Sequence, residues 1–293
     1  MAALVSFASA HGDSLQGGAE RYASGFGVGR GEISVTSTVF RAAGTGSFLA
    51  AKIACDGDPR SHAMVTRRRT RALLLDALGT LVALEPPAPQ LRRELAQRFG
   101  IEVSEAQAVR ALAAEIAYYR SHLDDGRDAS SVAALRRRCA EALRAALPRS
   151  DALAAVEIGE LTEALLASLR FTAFPDAHPA LDAARNRGRR VVVVSNWDVS
   201  LVEVLRRLEL AALLDGIVTS AQVSARKPSP RIFGRALEVA GVGADECLLV
   251  GDSIEEDIAG ARAAGISAIL IRRDGAPGPS GVQTINTLAE LET

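Results

Sequence analysis

Cysteine and lysine are rare in this sequence, and long apolar runs are missing. The three cysteines, Cys55, Cys139 and Cys247, are odd in number and widely spaced, which excludes a disulfide framework and a C-x-x-C zinc site. No apolar stretch approaches the roughly 18 residues that a membrane-spanning helix needs. Lys52 and Lys227 are the only lysines, so arginine supplies nearly all of the positive charge. The unpaired thiols indicate a reducing compartment, and we therefore expect a cytoplasmic protein.

An excess of either charge is also lacking. The formal net charge of the 293-residue chain is -1, with 48% hydrophobic and 24% charged residues, as in an ordinary globular protein. The arginines are interspersed with acids, which argues against a nucleic-acid-binding surface. We expect a small molecule as the partner, and neither nucleic acid nor membrane. The length leaves room for about two domains.

Residues 1–68 have a composition of their own. They contain ten of the 25 glycines, many serines and alanines, and no sustained helical or alternating apolar pattern. Such a composition is typical of a disordered segment. We predict a disordered N-terminal extension, with Met64 as an alternative start of the protein.

From Thr70 onward the pattern becomes one of strands and helices. A short apolar strand at 72–75 is followed by helical periodicity alone between Pro86 and Pro175. Beyond that point, short strands rich in valine, leucine and isoleucine alternate with helices, which indicates a parallel sheet covered on both faces. We therefore predict an α/β fold, a doubly wound parallel (Rossmann-like) sheet with an inserted all-helical cap domain.

The same pattern sets the boundaries of these parts. Glycine and proline end most of the predicted helices of the insertion, which are 88–99, 103–122, 129–147 and 151–169. The predicted domains are 69–82 with 176–293 for the α/β core, and 83–175 for the helical insertion. The insertion therefore interrupts the core directly after its first strand.

Polar side chains follow the apolar strands where these strands end. Asp76 comes directly after the strand at 72–75, and Ser195 and Asn196 follow the valine run at 191–194. The carboxyl ends of parallel strands share one edge of the sheet, where ligands bind in such folds. An aspartate at this edge can act as a covalent nucleophile. Later in the chain, Asp252 ends another apolar strand, Lys227 precedes a predicted helix, and Asp257 lies one helical turn after Asp252.

Taken in chain order, these motifs resemble those of the haloacid dehalogenase-like (HAD) hydrolase superfamily. The four motifs are Asp76-Ala77-Leu78-Gly79-Thr80, Ser195-Asn196, Lys227-Pro228, and Gly251-Asp252 with Asp257. The resemblance covers about 70–272. The insertion between the first two motifs resembles the helical cap of the first type (C1) in that superfamily.

The resemblance implies a hydrolase that acts on a small phosphorylated metabolite through an aspartyl-phosphate at Asp76, with Mg²⁺ as its cofactor. The residues implied to hold the transferred group are Ser195, Asn196, Lys227 and Thr80. The implied ligands of Mg²⁺, which prefers an octahedral set of oxygens, are Asp76, Asp252 and the backbone carbonyl of Leu78. Asp257 is implied to orient Lys227 or to support the metal site.

Leu78 departs from the pattern of the superfamily's phosphatases. Those enzymes usually carry a second aspartate at this position, two residues after the nucleophile, as the general acid and base. Loss of such a proton donor typically costs about 10²–10⁴-fold in rate, and least when the leaving group is stable. Phosphate esters of ordinary alcohols are therefore poor candidates, whereas acyl and aryl phosphates remain open.

Two other functions remain open. The superfamily's 2-haloacid dehalogenases also lack that acid; their aspartate displaces halide without a metal. An arginine of their cap receives the halide, and Arg110 or Arg120 would take that part here. One residue argues against this alternative: the sequence has Asp252 at a position where those enzymes have no acid. The neighbouring carboxylates of Asp76 and Asp252 would need a cation to neutralise them. The remaining alternative is a non-catalytic protein of the same fold that binds a ligand or partner.

The insertion supplies candidates for contacts with the substrate. They lie on one predicted helix and are Arg110, Tyr118, Tyr119 and Arg120. Trp197 and Asp198 directly follow the second motif. We expect Asp198 to meet the insertion over the active site, and Trp197 to pack in the core or to make the same contact. Neither the identity of the substrate nor the oligomeric state follows from these patterns.

Overall fold

The computed structural model describes residues 70–292. The predicted disordered extension at 1–68, with the alternative start at Met64, lies outside these described residues. Within them, a mainly parallel sheet carries helices on both faces, which confirms the predicted α/β fold class. No helix between residues 70 and 292 combines the length and the apolar character that crossing a membrane requires.

A six-stranded parallel sheet forms the centre of the fold. The strands of the described chain are β1 (Ala72–Leu75), β2 (Val82–Leu84), β3 (Phe171–Ala173), β4 (Arg190–Ser195), β5 (Gly216–Thr219), β6 (Cys247–Gly251), β7 (Ser267–Ile271) and β8 (Thr284–Ile285). The order across the sheet is β5-β4-β1-β6-β7-β8, and each neighbouring pair is parallel. Strand β1 is therefore central, between β4 and β6.

The helices fall into two groups along the chain. They are α1 (Pro87–Phe99), α2 (Glu105–His122), α3 (Ala129–Ala146), α4 (Asp151–Ala155), α5 (Ile158–Ser168), α6 (Ala177–Asn186), α7 (Leu201–Arg207), α8 (Ser220–Val223), α9 (Pro230–Ala240) and α10 (Gly260–Ala263). Shorter turns of helix are Leu123–Asp125, Ala211–Leu213, Ala244–Glu246, Ile254–Ala259 and Leu288–Glu292. Helices α1 to α5 lie between β2 and β3 and form the insertion, whereas α6 to α10 alternate with the strands of the sheet.

The register of β1 brings the polar strand ends to one edge. Leu75 pairs with Val193 of β4 and with Val250 of β6. Ser195 and Asp252 lie two residues beyond these partners, and the first-motif carboxylate directly follows Leu75. Because the three strands run in the same direction, their polar side chains share the carboxyl edge of the sheet.

Alternate residues of β1 belong to two apolar cores. Leu73 and Leu75 pack in a cluster with residues of α6 and α7, whereas Ala72 and Leu74 pack in a cluster with residues of α9 and α10. All four side chains are at most 3% exposed. Burial on both faces explains why the strand is a continuous apolar run and not an alternating one.

The insertion has a core of its own. Leucines of α1, α2, α3 and α5 meet in a separate cluster, including Leu91, Leu112 and Leu135. The Ser104 side chain accepts a backbone N–H at the start of α2, and Asp128 does so at the start of α3. Each belongs to a capping box, which satisfies N–H groups that a helix start leaves unpaired. These caps fix where α2 and α3 begin.

The prediction of one helix over 151–169 is wrong, because the chain forms two separate helices, α4 and α5, with residues 156 and 157 between them. Val156 between them is extended (φ -69°, ψ 127°). Its carbonyl accepts a hydrogen bond from Arg144 Nη2 of α3 at 2.5 Å. That bond satisfies a carbonyl which a continuous helix would have paired internally, so the break costs little.

The strands β2 and β3 form a ribbon that the sequence did not predict. They pair antiparallel, with Val82 opposite Ala173 and Leu84 opposite Phe171. The chain enters the insertion through β2 and leaves it through β3, so the ribbon joins the insertion to the core. Each strand has only three residues, which is too few for an alternating pattern to stand out.

Candidate active site

Asp76 lies at the carboxyl end of the central strand and is almost fully buried. Its Oδ1 atom accepts hydrogen bonds from Ser195 Oγ at 2.9 Å and from Lys227 Nζ at 2.6 Å. Among the described residues, nothing donates to its second oxygen, Oδ2, and Asp76 lines a cavity. The carboxylate is therefore fixed through one oxygen and has the other available for a reacting group.

Lys227 supplies a buried positive charge behind this carboxylate. Its Nζ atom donates to Asp76 at 2.6 Å and to Asp257 Oδ1 at 2.5 Å, and the residue is 3% exposed. Burial by itself lowers the pKa of an ammonium, but the two carboxylates outweigh it and raise the pKa of Lys227 above its usual value. The ammonium therefore stays charged. Lys227 does not line the cavity itself and reaches it through Asp76.

Asn196 holds the backbone of Lys227 in place. Its Oδ1 accepts from the Lys227 N–H at 2.7 Å, and its Nδ2 donates to the Lys227 carbonyl at 3.1 Å and to Glu256 Oε2 at 3.0 Å. The side chain of Asn196 is thus fully engaged, and only its backbone N–H is left for the ligand contact predicted from the second motif.

Three carboxylates meet at this edge. Oxygens of Asp76, Asp252 and Asp257 lie within 4.8 Å of one another. The pKa of Asp257 is raised to about 7, mainly by burial; Lys227 opposes this shift, and the Asp76 and Asp252 carboxylates add to it. Lys227 contacts Asp76 and Asp257, and Asp252 adds a third carboxylate to the cluster. An all-oxygen donor set of this charge fits a hard divalent cation such as Mg²⁺.

Two glycines allow these acids to approach the backbone. A Cβ added at Gly79, whose φ is 83°, would overlap the carboxylate of Asp252. A Cβ at Gly251 would overlap the carboxyl of Asp257. Only residues without a side chain fit at these contacts. The glycines of the first and fourth motifs thereby place the acid cluster against the loop that carries Leu78.

The helical segment that follows Asp252 begins differently from an ordinary α-helix. Its first turn, Ile254–Ala259, has π-helical hydrogen bonding, and α10 continues from it. Asp257 in this turn accepts from the Ser253 N–H at 3.0 Å while it also binds Lys227. Wide turns of this kind occur frequently at functional sites, and this one directs Asp257 towards Lys227.

A cavity of about 240 Å³ lies between the sheet edge and the insertion. Asp76, Leu78 and Asp252 line it on the core side. Apolar walls come from the ribbon and from Trp197, whose ring lies 5.3 Å from that of Phe171. Substrate would enter this space with its reacting group next to Asp76.

Contacts between the insertion and the core hold the insertion over the cavity, as expected for Asp198. Tyr119 Oη of α2 donates to Asp198 Oδ2 at 3.0 Å. A second contact was not predicted: Arg226 pairs with Asp124 at 2.5 Å and donates to the carbonyl of Arg120. The sequence signal that could have identified Arg226 is its position next to Lys227, since Arg226 and Lys227 belong to one loop.

The predicted contact residues of the insertion divide into two pairs. Tyr119 and Arg120 line the cavity, whereas Arg110 and Tyr118 do not. Arg110 is exposed, and nine residues, or two and a half helical turns, separate it from Tyr119, which puts it on the opposite face of α2. Tyr118 instead stacks on His122, with ring centroids 4.1 Å apart.

Thr80, predicted to bind the transferred group, is fully buried and does not line the cavity. Its hydroxyl has no hydrogen-bond partner among residues 70–292, and its carbonyl accepts from Arg273 Nη2 at 2.5 Å. The chain turns back at Gly79, whose N–H donates to the Val82 carbonyl at 2.8 Å. That turn carries Thr80 away from the sheet edge.

Glu115 lines the cavity from α2 and was not singled out in the sequence. It is 4% exposed, and burial raises its pKa to about 7, although a hydrogen bond with the Cys139 thiol opposes the shift. Its spacing of three and four residues from Leu112 and Ala111 puts it on the buried stripe of α2. The sequence signal that could have identified Glu115 is an acidic residue at a helix position where the periodicity predicts an apolar one.

Replacing Glu115 with glutamine is expected to make stability less dependent on pH. The folded protein holds the proton of Glu115 up to about pH 7, whereas an unfolded chain releases it near 4.5. The wild type therefore loses stability as the pH rises between these values. Relative to wild type, Glu115→Gln should gain about 3 kcal/mol in free energy of unfolding between pH 4.5 and pH 8.

Urea unfolding at a series of pH values measures this difference. Glu141→Gln is the matched control, because Glu141 is exposed on the neighbouring helix α3. A difference between Glu115→Gln and wild type that stays constant with pH would contradict the raised pKa of Glu115.

Comparisons with known proteins show which proteins this chain is similar to. A Mycobacterium tuberculosis (strain CDC 1551 / Oshkosh) protein named a phosphatase is 34% identical over 142 residues, which are 46% of this chain and 65% of that protein. The chain thus spans slightly less than two thirds of the length of this relative.

Solved structures of two kinds share the fold. The structure of a HAD phosphatase from Thermococcus onnurineus has 27% sequence identity and a TM-score of 0.53, covering 76% of this chain and 96% of that one. The structure of a 2-haloacid dehalogenase from Pseudomonas syringae pv. Tomato DC3000 has 26% identity and a TM-score of 0.54, with the same coverage. The sequence model of the haloacid dehalogenase-like hydrolase family matches residues 70–265, more than half of the sequence. The chain therefore belongs to the haloacid dehalogenase-like hydrolase family.

Proposed function

We propose that the protein is a Mg²⁺-dependent hydrolase of small phosphorylated metabolites that works through an aspartyl-phosphate at Asp76. The observation that carries this proposal is the state of Asp76, whose Oδ1 is held by Ser195 and Lys227 while Oδ2 takes no hydrogen bond from the described residues. In the first step Oδ2 attacks phosphorus, and the bond from phosphorus to the leaving group breaks. Water then attacks the same phosphorus and releases Asp76 with inorganic phosphate.

The positive charge and donors for this reaction come from three elements of the core. Lys227 keeps Asp76 oriented and offsets part of the charge of the phosphoryl oxygens. We assign the hydroxyl of Ser195 and the backbone N–H of Asn196 to the transferred group. Their position at the end of β4, beside Asp76, supports this assignment.

The acid cluster is the proposed site of the metal. Asp76, Asp252 and the carbonyl of Leu78 would hold Mg²⁺, and Asp257 would support the site through Lys227. When bound, the ion would supply neutralisation of the charge on the transferred group. The excess of carboxylates over ammonium groups at this edge supports the proposal.

The leaving group is expected to need no proton. Leu78 lines the cavity where the phosphatases of the family place a general acid, and a leucine cannot donate a proton. Acyl and aryl phosphates, whose leaving groups are stable as anions, are therefore the proposed substrates.

A metal-free dehalogenase is the second candidate function. Arg120 lines the cavity opposite Asp76, as an arginine that receives halide would. The presence of Asp252 weighs against it, because its carboxylate lies within 4.8 Å of that of Asp76, and a divalent cation would stabilise two such carboxylates together. Halide release from 2-chloropropionate in the presence of EDTA would favour this candidate.

Leu78→Asp is expected to raise activity on alkyl phosphates by about 10²-fold, because it restores a proton donor next to the leaving group. Activity on aryl phosphates should change much less. Initial rates with both substrate classes, with Mg²⁺ and after EDTA treatment, measure this effect. Leu78→Asn is the control of equal shape without a donated proton, and an equal gain in both variants would contradict the explanation.

The cytoplasm is the compartment we propose. Support comes from Cys139 and Cys247, which are both buried as free thiols. Free thiols of this kind are typical of a reducing compartment.

A further inference from the structure

Two arginines of the insertion have guanidinium groups without a hydrogen-bond or ion-pair partner among the described residues. Arg120 of α2 and Arg136 of α3 are half-buried and line the same cavity as Asp76. Among the residues that the structure describes, neither guanidinium forms a hydrogen bond or an ion pair. The other half-buried arginines of the insertion have partners: Arg138 pairs with Asp125 at 2.8 Å, and Arg144 donates to the Val156 carbonyl.

The acids of the cavity do not neutralise these two arginines. Glu115 hydrogen-bonds with the Cys139 thiol, and its carboxyl is half protonated near neutral pH. Asp198 accepts from Tyr119, and Glu256 accepts from Asn196. The insertion side of the cavity is therefore positively charged, whereas the acid cluster lies on the core side.

The space between the two charged ends is apolar. Leu84, Ile116, Leu169 and Phe171 line it together with Trp197. The cavity of about 240 Å³ has room for about eight groups the size of a water molecule, at roughly 30 Å³ each. A compact apolar body such as one aromatic ring fits this space.

Building on the proposed function, we propose that Arg120 and Arg136 bind a carboxylate at the far end of the substrate. The substrate class is then a phosphorylated carboxylic acid, with the phosphoryl group at Asp76 and an apolar body between the two anions. The planar guanidinium matches a carboxylate through paired hydrogen bonds. An aromatic body also accords with Leu78, because a phenolate leaves without a proton donor.

The test compares 4-carboxyphenyl phosphate with phenyl phosphate, which has the same body and lacks the carboxylate. In the wild type, kcat/KM should be about 10-fold to 100-fold higher for the carboxylated compound, as expected for charge-assisted hydrogen bonds. Arg136→Gln and Arg120→Gln should each lower the ratio of the two kcat/KM values about tenfold, and the double variant should bring it close to one. Arg137→Gln is the matched control, because Arg137 is exposed beside Arg136, and it should keep the wild-type ratio.

The outcomes separate this inference from the proposed function. A wild type that hydrolyses both compounds without preference, or a double variant that keeps the preference, overturns the carboxylate subsite. Hydrolysis of neither compound in the presence of Mg²⁺ counts against the proposed function alone. In that case calorimetry measures the affinity of both compounds for the wild type and for the double variant. The ratio of the two dissociation constants then replaces the ratio of the kcat/KM values as the test of the subsite.

Discussion

Asp76→Asn is expected to lower kcat/KM on an aryl phosphate at least about 10⁴-fold, the scale of loss when a covalent nucleophile is removed. The amide has nearly the shape of the carboxylate and can still accept from Ser195, but it cannot attack phosphorus. The loss should appear in kcat, because the phosphate-binding donors of the core remain. Steady-state kinetics at saturating Mg²⁺ measure it.

The matched control for this change is Asp182→Asn. Asp182 is exposed on α6, away from the sheet edge, so the same loss of one carboxylate should leave kcat and KM at wild-type values. Thermal unfolding of both variants shows whether they are folded at the assay temperature. Activity of Asp76→Asn within about tenfold of wild type would remove the nucleophile assignment.

Lys227→Met is expected to destabilise the protein by about 3–5 kcal/mol, the usual cost of breaking a buried ion pair. The change leaves Asp76 and Asp257 buried without the ammonium that now lies 2.6 Å and 2.5 Å from them. Activity should also fall by about 10²–10³-fold, because the site loses a positive charge next to the transferred group. Urea unfolding and kcat measure the two effects.

A second variant separates the two roles of Lys227. Lys227→Met leaves two buried carboxylates without their ammonium partner. In Lys227→Met/Asp257→Asn one of these two carboxylates is removed, so part of the lost stability should return. Activity should not return, since the ammonium is still missing. If the double variant were no more stable than Lys227→Met, the buried ion pairs would not explain the cost.

The core of the site could be predicted because its residues follow strands. Asp76 and Ser195 directly end apolar runs, and parallel strands bring such ends to one edge. Lys227, Asp252 and Asp257 then followed from the order of the motifs. Lys227 contacts both Asp76 and Asp257, so the third and fourth motifs meet the first at this edge.

The other half of the cavity could not be predicted in this way. Glu115 and Arg136 reach it because α2 and α3 pack against each other at one particular rotation, which periodicity leaves undetermined. Arg110, on the same predicted helix as Arg120, faces away for this reason. The strands β2, β3 and β8 have two or three residues each, which is too few for a recognisable pattern. They form because they pair with strands that are distant in the chain.

The most direct test of the central claim is a mass spectrum of the peptide that contains Asp76. The protein is quenched in acid during turnover of an aryl phosphate with Mg²⁺, in water enriched in heavy oxygen. We predict a phosphoryl group on Asp76 and no heavy oxygen in its carboxylate, because water attacks phosphorus in the second step. An unmodified Asp76 throughout turnover, or heavy oxygen incorporated into its carboxylate, would contradict the aspartyl-phosphate.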